Sequence, residues 1–348
     1  MGSGDHAMLI YDGSKAYENL QTAIKKRTFR FPAKTEKDYR DGLLLPSLEP
    51  RFTLTSDQKI FTIGSCFARN IEAELTGRGF DVPVAKFVLP KDEFRHPGPH
   101  MLNEYNAGTI LQRIESVFGE FRYSDEMGVE AVEGGYLDLF LHIHQQPVSL
   151  ERLLERRREI AATYQELASS SALVITLGLV ESWFDSLHGC YVNKAPSKSL
   201  IQKNPGRFHF HRMDVEDVLA RMNACIEIIN ANMKTNIVLT VSPVPIEATF
   251  SGDNVILANS YSKSVLRVAA SLLYEKFDNI DYFPSYEVAL SKGTAGFAGD
   301  NIHIDKMLVK EIIAYMVQNY VTGRGTDENA PPPVSHYVDR EIKNALSR

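Results

Sequence analysis

Short apolar runs that stop at glycine or proline alternate along this chain with stretches whose apolar residues recur every three or four positions. Lys59 to Ile63 is β-rich and ends at Gly64, and a helix over 68–77 follows. Phe67, Ile71 and Leu75 line one face of that helix, and Gly77 and Gly79 stop it. Phe80 to Ala85 reads as a second strand and Ala172 to Leu177 as a third, ended by Gly178. Asn236 to Val241 reads as a fourth, ended by Ser242-Pro243, and Ile280 to Phe283 as a fifth, ended by Pro284. Helical stripes lie between them: Val215, Val218, Leu219, Met222, Ile226 and Ile229 in 214–232, with Asp214 as N-cap, and Tyr261, Val265, Val268, Ala269 and Leu272 in 258–277. A last helix over 304–319 carries Ile304, Met307, Leu308, Ile312 and Met316. Continuous apolar strands alternating with amphipathic helices imply an α/β fold whose parallel, five-stranded sheet is covered on both faces.

Sheets of that kind bind ligands at the carboxyl ends of their strands. Gly64-Ser65-Cys66, Gly178, Ser242-Pro243-Val244-Pro245 and, after a loop, Asp300 to His303 all follow predicted strands. Residues 86–171 are long for one crossover. With a helix near 107–118 and a charged helix over 151–169, they read as an inserted cap region that shapes a pocket. Residues 1–58 read as a polar N-terminal arm whose opening 1–8 looks like a cloning scar, residues 59–320 as the α/β domain, and 321–348 as a C-terminal tail.

Composition narrows the function classes. The 348 residues carry 38 Lys+Arg against 44 Asp+Glu, a net charge of -6, which argues against a nucleic-acid partner. The sequence holds no apolar run of membrane-spanning length, so no membrane insertion is expected. Three cysteines do not make a disulfide framework and point to a reducing, cytoplasmic setting.

Two motifs carry chemistry. In Ile63-Gly64-Ser65-Cys66-Phe67-Ala68 a strand ends on glycine and a helix starts at once. The free N–H groups of a helix N-terminus lower a thiol's pKa there and can hold an oxyanion. A tight turn with a small buried cysteine is the alternative. In Asp300-Asn301-Ile302-His303 a carboxylate three residues from an imidazole can fix its tautomer, which a Ser or Cys nucleophile needs of its base. Helix capping by Asp300 or Asn301 is the alternative there.

Gly64-Ser65-Cys66-Phe67-Ala68 matches letter for letter the signature that names the GSCFA-domain family. Tyr105-Asn106, Ile175 to Trp183, Val241 to Pro245 and Ala258 to Arg267 resemble that family too, so the likeness spans roughly 60–320. The family is similar to SGNH/GDSL hydrolases, which implies a flavodoxin-like three-layer fold, a nucleophile just after the first strand and a closing Asp-x-x-His. By that resemblance Cys66, two places after the glycine, is the nucleophile, with Ser65 as second candidate, His303 the base and Asp300 its partner. Gly178 takes the place of the oxyanion-hole glycine. The asparagine expected two residues later is replaced by Val180, followed by Glu181, a candidate for binding a substrate hydroxyl or ammonium. Asn106 is the candidate for the missing amide. The implied activity is an acyl-ester hydrolase or O-acyltransferase acting on a small-molecule, carbohydrate or lipid acyl substrate. It needs no cofactor, although acyl-CoA would serve as a donor. The rival is a catalytically inactive SGNH-like ligand-binding domain.

Weaker signals were weighed against this. His142 and His144, with His188 or with His209 and His211, lack a third ligand at a diagnostic spacing, so no metal site is expected. Trp183, the one tryptophan, reads equally as a pocket wall or as packing. The glycines of 293–299 lack a strand–turn–helix context and read as a loop that positions Asp300 and His303.

Overall fold

The computed structural model describes residues 12–322 apart from 41, 56, 91, 95–98 and 142–144. The opening 1–8 read as a cloning scar, the 321–348 tail beyond 322 and the pair His142 and His144 therefore lie outside the described residues. The chain divides into two compact units at Leu48/Glu49. The first contains a helix, Gly13–Lys26, that the sequence reading did not anticipate. Asp12 caps it by accepting from the Lys15 N–H, and Arg27 ends it at φ 58°.

The second unit is built on a parallel sheet of β1 (Ile60–Gly64), β2 (Ala172–Leu177), β3 (Asn236–Val241) and β4 (Ile280–Phe283), in the spatial order β4-β3-β2-β1. Registers such as Ile63 with Ile175, Leu239 with Ile175, and Leu239 with Tyr282 run straight through it. Nearly every residue of β1, β2 and β3 is buried, as a sheet covered on both faces requires.

The sheet has four strands, not five. Phe80 to Ala85 is not a strand. Asp81 makes one parallel bridge to Lys59 and accepts the Ile60 N–H, and the chain then turns into a short 3-10 helix, Pro83–Lys86. Pro83 is the reason: it has no N–H for a ladder and its fixed φ suits the first position of a turn.

Helices pack in two groups. The group α2 (Ala107–Phe118), α3 (Val215–Asn232) and α4 (Val255–Lys276) is separate from the group α1 (Cys66–Gly77), α5 (Ser285–Ser291) and α6 (Lys306–Tyr320). Right-handed crossovers explain this. From β2 to β4 the chain moves steadily in one direction across the sheet, which puts α3 and α4 on one face. From β1 it first turns the opposite way through α1 to the Asp81 bridge, which puts α1 on the other face. The reversal makes a switch point between β1 and β2, the place at which sheets of this kind bind ligands outside the carboxyl ends of their strands.

The segment 86–171 holds α2, an antiparallel hairpin (Val129–Val132 with Gly135–Asp138) and a helix, Leu150–Gln165, continued by a 3-10 turn. A second addition was not expected: Glu181–Asp185, Cys190–Val192 and Phe208–Arg212 form a three-stranded antiparallel sheet just after β2.

Candidate active site

The end of β1 and the end of β2 approach too closely for any side chain but hydrogen. At Gly64, with φ 141°, a Cβ would lie 2.2 Å from the Thr176 carbonyl oxygen. At Gly178 it would lie 2.7 Å from the Tyr105 carbonyl oxygen and 3.0 Å from the Ser65 Cβ. The Ser65 N–H donates to Thr176 O at 3.3 Å, Glu104 N–H to Gly64 O at 2.8 Å, and Leu179 N–H to Tyr105 O at 2.9 Å. Ser65, Gly178 and the Tyr105-Asn106 segment are thereby fastened together at the switch point.

Ser65 is the N-cap of α1, which begins at Cys66, two residues earlier than its sequence pattern predicts. The serine hydroxyl makes no capping bond, is 3 % exposed and has no partner among the described residues. Cys66, one residue on, is partly exposed, whereas Cys190 and Cys225 are buried; none of the three is in a disulfide.

The thiol's pKa runs opposite to the sequence expectation. Burial pushes Cys66 up, and the positive charges of Lys263 and Arg69 and the N–H groups of Cys66 and Phe67 only partly offset this. Removing a thiolate's hydration costs more here than one helix end returns.

Lys263 was quoted in the family pattern but given no role. Its side chain comes from α4, is 1 % exposed, and donates from Nζ to Gly178 O at 2.7 Å. Burial lowers its pKa to about 7, and a negative charge on Cys66 would raise it. Ser262 beside it accepts the Val180 N–H at 3.1 Å, so neighbouring residues of α4 clamp the backbone on either side of Leu179. The missed signal was a helical phase. Lys263 lies three before Leu266 and seven before Ala270, both buried, which places it on the buried side, while Val268 of the expected stripe is exposed.

On the other side of the thiol, Arg69 pairs with the buried Glu72 at 2.9 Å, and Glu72 also accepts from the Thr62 hydroxyl. Burial raises the Glu72 carboxyl to about 7. The half-buried Tyr105 phenol is pushed up by desolvation and then by the thiolate form of Cys66.

Asn106 caps α2: its Oδ1 accepts from Thr109 N at 3.0 Å. The Asn106 bonds seen among the described residues use its oxygen atoms and not its NH2 group, and no backbone bond there takes the Gly178 N–H.

Asp300 and His303 form a unit. Asp300 Oδ1 accepts the N–H of Ile302 (2.9 Å) and of His303 (3.0 Å), and its Oδ2 lies 2.6 Å from His303 Nδ1. These bonds hold the Asp300 carboxyl below its ordinary range against the opposing effect of burial. Neither Asp300 nor Asn301 caps the last helix; Asp305 does, and α6 starts at Lys306. The imidazole is 56 % exposed, and no hydrogen bond joins it to Ser65 or Cys66 among the described residues.

Glu181 is occupied. Its carboxylate accepts from the Thr249 hydroxyl and from the Phe250 N–H (3.1 Å), which pins the loop after β3. Trp183 packs edge-on against Phe210 and Phe250. His188 is paired with Asp185 at 2.9 Å, and His211 lies between Tyr191 and Asp217. No group of three metal-ligating side chains occurs among the described residues.

The signature around Cys66 thus sits at the end of the first strand of an α/β sheet, and the GSCFA family model matches residues 59–315, most of the chain. The chain belongs to the GSCFA family. None of the curated proteins matches it in sequence. Among solved structures, this GSCFA protein is similar to a variant of Axe2, an acetyl-xylooligosaccharide esterase from Geobacillus stearothermophilus, at 12 % identity and a TM-score of 0.33. That match covers 78 % of this chain and 100 % of the other. A second Axe2 variant, described as a catalytic mutant of an acetylxylan esterase from the same organism, matches at 13 % identity with the same coverage and score. At that overlap no chemistry carries over.

Proposed function

We propose that this GSCFA protein is an esterase-type enzyme, a thiol-dependent acyl-ester hydrolase or O-acyltransferase, with Cys66 as its nucleophile. The observation that carries the reading is that Cys66 is the one cysteine whose residue is not fully buried, and it follows Ser65 at the switch point, where Gly178 and the Tyr105-Asn106 segment are fastened. Ser65 is buried and touches no base, which favours its neighbour. In the first half-reaction Sγ attacks the acyl carbonyl carbon. The C–S bond forms, the ester C–O bond breaks, and the alcohol departs with a proton. In the second half-reaction water, or the hydroxyl of an acceptor, attacks the thioester and the acyl group leaves the sulfur. His303, its Nδ1 held by Asp300, takes the proton from the incoming oxygen and passes it through solvent to the released thiolate, which restores the thiol. The N–H of Gly178 and the NH2 group of Asn106 are the oxyanion donors. Asn106 replaces the amide lost at Val180, whose buried side chain and bonded N–H leave nothing to donate there. Glu181 holds the loop at 249–250 rather than the substrate.

An acylated carbohydrate or lipid, or acyl-CoA as donor, fits a partly open site that needs no cofactor. A cytoplasmic setting would keep the three unpaired thiols reduced. Among the described residues no helix is long and apolar enough to cross a membrane. The test is turnover of p-nitrophenyl acetate and of an acetylated sugar. Cys66→Ala should lose roughly 10³-fold or more in kcat while Ser65→Ala keeps turnover. Loss in Ser65→Ala with survival of Cys66→Ala would move the nucleophile. Absence of turnover in the wild type would leave the family scaffold as a ligand-binding domain.

A further inference from the structure

A thiol pushed up by burial needs a base, and no hydrogen bond joins the exposed imidazole of His303 to it among the described residues. The side chains whose charge acts on the Cys66 thiol are Lys263 from α4, Arg69 from its own helix, and Tyr105 from the segment before α2. Glu72 is paired to Arg69, and Glu104 lies behind Tyr105. Arg69 stays charged and cannot take a proton. The Tyr105 phenol holds its own proton more tightly than usual. Lys263 is different in kind. It is buried, and among the described residues no carboxylate pairs with it and its side chain's one hydrogen bond is to the neutral carbonyl of Gly178. A buried amine without a counter-ion gives up its charge readily, and a neutral amine has a lone pair to offer. Its bond to Gly178 O fixes that amine at the residue that borders Ser65, the neighbour of Cys66 in the chain.

Resting on the acyl-transfer reading above, we propose that Lys263 is the proton partner of Cys66, a base built into α4 beside the switch point. The step balances within the pair. The Cys66 S–H bond breaks, its proton joins the Lys263 lone pair, and an ammonium–thiolate pair results. The ammonium keeps its hydrogen bond to Gly178 O, and the thiolate becomes the nucleophile. When the thioester forms and the ester oxygen leaves, that ammonium returns the proton to the departing alcohol. Lys263 is then neutral again, and His303 serves the incoming water. Two bases divide the cycle, one buried beside the sulfur and one open to solvent.

The test follows the thiol and not the ester. The full-length protein is alkylated with iodoacetamide across a pH series, and the modified Cys66 peptide is quantified by mass spectrometry for wild type, Lys263→Met, Lys263→Gln and His303→Ala. Lys263→Gln keeps a donor for the Gly178 carbonyl, so it separates holding the backbone from taking the proton and stands in if the Met variant does not fold. Both lysine variants should alkylate roughly tenfold or more slowly at neutral pH, with the inflection moved upward by about a unit or more. His303→Ala should keep the wild-type profile. A wild-type profile in folded Lys263→Gln, or an equal shift in His303→Ala, overturns the proposal. A lysine-dependent thiol in a protein that turns over no ester would support the pair and remove the acyl chemistry.

Discussion

At the scale of single residues, the site is set by what cannot be added as much as by what is present. Gly178 has Tyr105 O and the Ser65 side chain on its open side, and its own carbonyl holds Lys263. Gly178→Ala should cost about 1–3 kcal/mol of stability, because the methyl group meets backbone that cannot turn aside. Turnover should fall with it, which thermal melting and steady-state kinetics on the same sample would show. Cys66 and the Asp300–His303 contact were legible in the sequence because each rests on near-neighbour spacing: a glycine-terminated strand and an i,i+3 turn. Lys263 was not. A lone lysine in an amphipathic helix reads as solvated, and only the observed phase of α4, with Ser262 and Lys263 turned to the β2 loop, puts it inside. The direction of the Cys66 shift was missed for a related reason. Helix position can be read from sequence, whereas the depth of protein around a sulfur cannot.

At the scale of elements, the caps do double duty. Asn106 starts α2 with its oxygen, which leaves its NH2 group for the oxyanion role proposed above. Serine caps helices about as well as asparagine but has no amide to offer. Asn106→Ser should therefore keep the melting temperature within a few degrees while kcat drops by roughly 10²-fold or more with little change in KM. Unchanged kcat would remove Asn106 from the oxyanion hole. Four strands and their helices were legible because fully buried strands are continuous apolar runs. The supposed strand at Phe80 to Ala85 failed on Pro83, which turns the chain after one bridge. The antiparallel sheet at 181–212 escaped notice because its strands are short, and charged Glu181, Asp185 and Arg212 occupy positions whose pairing partners are decided by tertiary contacts.

At the scale of the whole molecule, the topology brings together residues far apart in the chain: Cys66 from the first strand's end, Gly178 from the second, Lys263 from the helix after the third. Burying a lysine at the junction affects stability. Its pKa falls from 10.5 when unfolded to about 7 when folded. Below about 7 both states hold the proton, and the folded state bears the full cost of a buried ammonium. As pH rises above that value the unfolded chain holds a proton the folded one lacks, so stability rises. The thiol, at 9.0 or above, does not yet titrate in this window. Measured against Lys263→Met, the wild type should gain melting temperature between about pH 6.5 and about pH 8.5. A constant difference would mean that the amine stays charged.

The most direct measurement is to trap the acyl group. The protein is mixed with p-nitrophenyl acetate, quenched within the first turnovers and digested, and the acetylated peptide is sequenced by mass spectrometry. The acetyl group should sit on Cys66, be absent from Cys66→Ala, and accumulate in His303→Ala, where the second half-reaction has lost its base. An acetyl group on Ser65, or turnover persisting in Cys66→Ala with no adduct, would contradict the account.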